Sequence, residues 1–225
     1  GHPERSLKAF KQWRSSWLSR EGICAVTALI VMAVYGAGLV FLQTNWAVLG
    51  WLGAVFSLLT VFTTSMIYGQ LKTVPRWNHW STSALFLTLS LAGGALLASK
   101  TGIAAPLLIL ALGLQAYAFL SGDTRFRERG HTLNTATGLD KGAMRLFEAP
   151  HTGSNYLMKE MIHQVGRKHA QKLRIIGAGV GLLLPWLLLV IFPVGHFMII
   201  PVLVLHIGGV CALRWLFFAE AEHVV

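Results

Sequence analysis

The chain has 225 residues, of which 54% are hydrophobic and 12% charged, and its mean hydropathy is +0.58. A water-soluble domain of this length could not enclose so much apolar surface in one core. The formal charge of +10 does not point to nucleic acid, because the basic residues fill the connections between apolar runs and form none of the recognised nucleic-acid motifs.

Six apolar runs organise the sequence: Ile23–Leu42, Ala47–Ile67, Ser83–Ser99, Ile103–Leu120, Ile175–Phe192 and Phe197–Phe218. Each falls in or at the edge of the window of about 17–25 residues that a helix needs to cross a bilayer. The expected fold is all-α: a polytopic transmembrane helix bundle with six spanning helices, forming a single membrane domain over residues 1–225.

The chain opens on a polar, basic stretch, GHPERSLKAFKQWRSSWLSR, that reads like a loop between helices. It has no initiator Met and no signal peptide with charged, apolar and cleavage regions, so a fragment cut at both ends is expected. Ser19 is the expected cap of the first helix, with Glu21 in its first turn, where the helix dipole favours a carboxylate. Trp13 and Trp17 precede it at headgroup depth, as interfacial aromatics do. The second and third helices are joined by YGQLKTVPRWNHWST, where Tyr68, Trp77 and Trp80 mark the interface and Pro75 forbids simple helix continuation. Gly93 and Gly94 allow close approach of a neighbouring backbone.

Residues 122–174 form the one sizeable extramembrane connection. Its first half is turn-rich and basic. In its second half Ser154 or Asn155 could cap an amphipathic, interfacial helix through YLMKEMIHQVGRKHAQKLR, whose Tyr156, Met158, Met161, Ile162, Val165 and His169 recur at helical spacing. Pro185 and Pro201 are expected to bend the last two helices. Cys24 and Cys211 lie in apolar helices as small hydrophobes; with no CxxC pair or cluster spacing, any iron–sulfur centre belongs to another subunit.

An even number of crossings places both chain ends on one side. Seventeen of the nineteen basic residues fall on that side, Lys100 falls on the other, and Arg214 lies within the last helix. The positive-inside rule assigns the basic face to the cytoplasm. The same face could also dock an acidic partner or anionic lipid.

Among ionisable residues, Glu21 stands out. A carboxylate at the bilayer edge is costly unless paired or useful, and such groups are functional candidates. The alternative is a first-turn glutamate that stabilises its own helix by a few tenths to about 1 kcal/mol. Arg20 could pair with Glu21 or extend its head to the interface. His206 is the one histidine well inside a span. A bis-histidine haem needs two facing ligands, which the chain does not supply, so His206 is expected to be a hydrogen-bonded packing residue. No metal site is expected. Glu220 and Glu222, two positions apart, do not share a helix face and are expected to balance Arg214 and the headgroup region.

Four stretches, SWLSREG (16–22), IYGQLKTVPRWN (67–78), PHTGSNYLMKEM (150–161) and RWLFFAEAEHVV (214–225), together resemble the membrane-anchor subunit (DmsC family) of dimethyl sulfoxide reductase-type molybdoenzymes. The opening GHPERSLKA is similar to that family's His-Leu-Gly-x-Pro-x-Arg segment, with Gly1, Pro3 and Arg5 matching; the motif histidine would lie two positions before Gly1. The family has about eight spanning helices, so this chain is expected to lack the first two.

The resemblance implies a bacterial inner-membrane anchor for an iron–sulfur electron-transfer subunit and a molybdopterin catalytic subunit. Such an anchor binds and oxidises menaquinol in anaerobic respiration and carries neither haem nor cluster. It aligns the quinol-site acid with Glu21, and it makes Arg20, Arg5, Arg76 and Trp77 candidates around the quinol. Arg76 and Trp77 could line a path for quinone, touch a partner subunit, or serve as turn and belt residues. The family's best-known members face the catalytic subunits to the periplasm, whereas charge places the basic face in the cytoplasm. The rival readings are a structural anchor without a quinol site and a small membrane transporter. Few buried charges, no internal repeat and no paired broken helices weigh against the transporter. The terminal electron acceptor is not encoded in this chain.

Overall fold

A computed structural model describes residues 8, 10–128, 130, 167–192 and 196–221. Within them lie six helices long and apolar enough to cross a membrane, as the hydropathy pattern requires. They are α1 (Trp17–Phe41), α2 (Ala47–Gly69), α3 (Trp80–Leu97), α4 (Thr101–Glu128), α5 (Ala170–Ile191) and α6 (His196–Ala219). The chain divides into two units, residues 1–70 and 71–225.

The first unit pairs α1 with α2. Ser16, not Ser19, caps α1: its backbone is extended and its hydroxyl accepts from the Ser19 N–H at 3.4 Å. The helix therefore begins at Trp17, and Ser19 is buried inside it. This correction moves Glu21 out of the first turn, beyond where the dipole acts most strongly. Large side chains such as Leu29, Trp51 and Val48 remain exposed, the arrangement expected when lipid rather than water is the solvent.

The second unit holds α3 to α6 around a core of Ala92, Ala95, Leu96, Ala104, Leu108, Ala111, Leu182, Val202 and Leu213. Alanines on the facing sides of α3 and α4 let the helices approach closely, the usual route to packing where lipid supplies no hydrophobic drive. The α3–α4 connection is a Schellman turn. The Ser99 N–H reaches the Leu96 carbonyl at 2.9 Å and the Lys100 N–H reaches Ala95 at 2.8 Å. Ser99 itself occupies the left-handed region at φ 54°.

Helix α5 contains one π turn, Gly179–Leu183, just before Pro185. A π turn of this kind is a common response to an interrupted α ladder. Gly177 and Gly181 of α5 press against α6. A Cβ on Gly181 would lie 2.8 Å from the Gly209 Cα, and one on Gly177 would lie 2.9 Å from the Leu213 side chain. Gly93 faces His206, while Gly94 faces open space, so the close approach expected of the Gly93–Gly94 pair holds for one of them.

Helix α4 runs on to Glu128, so residues 122–128 are helical rather than turn-rich. Residues 170–174 likewise belong to α5. The interfacial helix expected around Tyr156–Val165 lies outside the described residues.

Candidate functional site

Near the start of α1, Thr64 of α2 donates its hydroxyl to Glu21 Oε1 at 2.6 Å. The Thr64 hydroxyl also lies 2.8 Å from the Thr60 carbonyl, and its single proton is best spent on the carboxylate, since a charge-assisted bond is about twice as strong as a neutral one. Among the described residues no cation lies within ion-pair distance of Glu21. Glu21 is half-buried. Trp17 and Phe62 meet edge to face beside it, with ring centroids 6.1 Å apart, and Phe10 crowds the backbone of Gly22.

Arg20 turns away from Glu21. Its Nε donates to the Trp13 carbonyl at 2.8 Å, its Nη2 donates to the Arg14 carbonyl at 2.7 Å, and its guanidinium covers the Trp17 ring at 4.3 Å. It ties the chain before α1 to the helix. Arg5 lies outside the described residues.

Arg76 and Trp77 belong to the second unit, where both have structural partners. Trp77 is buried; its Nε1 donates to the Phe217 carbonyl at 2.9 Å, and its ring stacks on Phe217 at 5.0 Å. Arg76 joins an ion network. Its Nη2 meets Asp123 at 2.6 Å and its Nη1 meets Glu220 at 3.3 Å. Arg174 completes the network, binding both Asp123 oxygens at 2.7 Å and Glu220 at 2.6 Å. Gly122 makes room for this: a Cβ there would sit 2.8 Å from Arg76 Nη1.

Sequence reasoning missed Asp123 and Arg174 and misplaced Glu220. Glu220 pairs with Arg76 and Arg174, while the Arg214 guanidinium lies 3.8 Å over the Phe86 ring. The signal available was scarcity: with nine acids among nineteen bases, an acid close to an apolar run is expected to be paired. His206 is buried and bonds to the Gly181 carbonyl through Nδ1 at 2.7 Å, as expected of a packing histidine.

The arrangement around Glu21 presents a carboxylate with one hydroxyl donor near the start of α1. The arrangement around Arg76 can hold four chain segments together. Residues 1–121 match the family described as DMSO reductase anchor subunit (DmsC). The chain belongs to the DMSO reductase anchor subunit (DmsC) family. The DmsC match spans Glu21, Thr64, Arg76 and Trp77. The chain is also similar to a sulfite dehydrogenase subunit of Allochromatium vinosum, at 28% identity over 260 aligned positions that cover 99% of this chain and 77% of that protein. No solved structure matches it. As a member of the DmsC family, the chain is a multi-pass membrane anchor of an oxidoreductase complex.

Proposed function

We propose that this chain anchors an iron–sulfur subunit and a molybdopterin catalytic subunit at the bacterial inner membrane, and oxidises menaquinol beside Glu21. The observation that carries the reading is the Glu21 carboxylate itself, held by one hydroxyl donor and by no cation among the described residues. An intramembrane acid tied into an ion pair would be a poor proton acceptor; this one keeps acceptor capacity.

Oxidation of a quinol to a quinone releases two protons and two electrons. Glu21 takes one hydroxyl proton and the second passes to water. The two electrons would pass to oxidised clusters held by the iron–sulfur subunit. Thr64 fixes the orientation of the carboxylate, so that its free oxygen is presented to the substrate hydroxyl.

The test uses membranes containing the assembled complex, wild type against Glu21→Gln. A menaquinol analogue should bind saturably to wild type, and quinol-linked electron transfer should fall by about 100-fold or more in the variant while the subunits still assemble. Unchanged turnover, or a loss confined to assembly, would leave a structural anchor.

The similarity to a sulfite dehydrogenase subunit favours a second reading of the same site, with electrons flowing towards quinone and Glu21 as proton donor. Whether quinone or quinol supports turnover separates the two. We place the basic end of the bundle in the cytoplasm, following charge; an active C-terminal alkaline phosphatase fusion would overturn that placement.

A further inference from the structure

A polar cavity of about 480 Å³ opens between the residues preceding α3 and the C-terminal end of α4, lined by Asn78, His79, Ser121, Thr124, Arg125 and Glu128 among others. Its lining belongs to the second unit and takes no part in the proposed quinol chemistry. Trp80 and Tyr117 stack at its edge, with centroids 5.4 Å apart, and both rings are exposed. Exposed, stacked aromatics at the end of a spanning helix mark the depth of the lipid headgroups.

The donors converge. The Nδ1 of His79 accepts from the Ser81 N–H at 3.2 Å and lies 2.9 Å from the Ser81 hydroxyl, so the ring proton sits on Nε2. Arg125 gives one N–H to the Arg76 carbonyl and another to the Ser121 hydroxyl, and Tyr117 is a further partner. A guanidinium carries five donors, so some remain for the cavity. These guanidinium donors, with the imidazole of His79 in the same lining, make a set suited to phosphate oxygens.

Glu128 decides the class of ligand. It lies three residues beyond Arg125 on α4, a spacing that sets the two side chains beside each other, about 5–6 Å between Cβ atoms. A phosphate and an ammonium joined by two carbons span a similar distance. A purely anionic headgroup would place unbalanced charge next to the Glu128 carboxylate, and an apolar ring would leave the donors unsatisfied.

We propose that this cavity binds the headgroup of a phosphoethanolamine lipid, with phosphate on Arg125 and its neighbouring donors and the ammonium on Glu128.

The test is native mass spectrometry of the full chain in its complex, released from nanodiscs holding equal amounts of phosphatidylethanolamine, phosphatidylglycerol and phosphatidylcholine. The ethanolamine lipid should be retained over the other two by about tenfold, a difference of about 1.4 kcal/mol. Arg125→Gln should lower its retention by a similar factor, and Glu128→Gln should erase the preference over phosphatidylglycerol. Glu128 is exposed near the helix end, so its variant remains informative if Arg125→Gln fails to assemble. Equal retention of the three lipids, preference for phosphatidylglycerol in the wild type, or variants that behave like wild type would overturn the proposal. Displacement of the lipid by soluble phosphoethanolamine would assign the cavity to a small phosphate ester and overturn the lipid assignment.

Discussion

His206 donates through Nδ1 to the carbonyl of Gly181, 2.7 Å away, and Gly181 stands four residues before Pro185. In a regular α-helix that carbonyl would accept from the nitrogen of residue 185, which in proline carries no hydrogen. A donor on α6 therefore satisfies an acceptor that α5 cannot satisfy in the α-helical way.

Removing that donor should be costly. His206→Ala leaves a buried carbonyl short of a partner and should destabilise the second unit by about 1–3 kcal/mol. Pro185→Ala restores an N–H, so the cost of His206→Ala should shrink in the Pro185→Ala background. A double-mutant cycle on the purified protein, followed by thermal unfolding, measures the coupling. Strict additivity would contradict this account.

The ion network makes an unequal prediction for its two acids. The Glu220 side chain is 8% exposed, whereas that of Asp123 is 43% exposed. Breaking a buried pair from one side costs about 3–5 kcal/mol, while solvent screens the exposed partner to about 1 kcal/mol or less. Glu220→Gln should therefore lower the unfolding temperature well beyond Asp123→Asn, and added salt should weaken the Asp123 contribution first.

His79 caps α3 by accepting at Nδ1, which only the neutral ring can do. Burial, and then the positive charge of Arg125, lowers its pKa below the usual 6.5. A histidine whose folded pKa is depressed contributes stability above its unfolded value and loses it as pH falls. The unfolding temperature should thus drop on acidification below about pH 6.5. His79→Asn keeps a capping side chain that does not titrate, and it should flatten that part of the profile. An unchanged acid slope in the variant would place the sensitivity elsewhere.

Thr64→Val tests the quinol site without touching the acid. It removes the one hydroxyl that orients Glu21, and bonds to charged groups are worth about 1.5–3 kcal/mol. Quinol-linked turnover should fall by about tenfold or more, less than for Glu21→Gln. Thr64→Ser, which keeps the hydroxyl, should recover most of the rate. If serine and valine behaved alike, packing rather than orientation would explain the threonine.

The spanning helices were legible because hydropathy needs only local sequence: all six apolar runs became helices, with ends shifted by up to eight residues. The largest end shift, at α4, has a physical cause. Hydropathy falls after Leu120, but the helix continues out of the apolar zone to Glu128, where polar side chains are as content in a helix as in a turn. The start of α1 was misread because Ser16 and Ser19 are equally good caps by type, and only backbone geometry chooses between them. Glu21 was visible as a lone acid beside an apolar run. Its Thr64 partner was not, since the two stand 43 residues apart and an apolar helix offers several threonines. The Asp123 and Glu220 pairings cross between 46 and 144 residues and required the packing of four segments to be known. The same holds for the link between Pro185 and His206, each of which looked ordinary alone.

Arg76, Asp123, Arg174 and Glu220 all sit at one end of the second unit: before α3, near the end of α4, near the start of α5 and just past the end of α6. At the opposite end α3 and α4 are joined only by the short turn at Ser99. The ion pairing that ties these segments together is therefore concentrated at one end of the unit. When thermal motion spreads these helices, they should splay like the blades of a fan from the pinned end. Deuterium uptake should then rise steadily towards the Ser99 turn and fall towards the arginines.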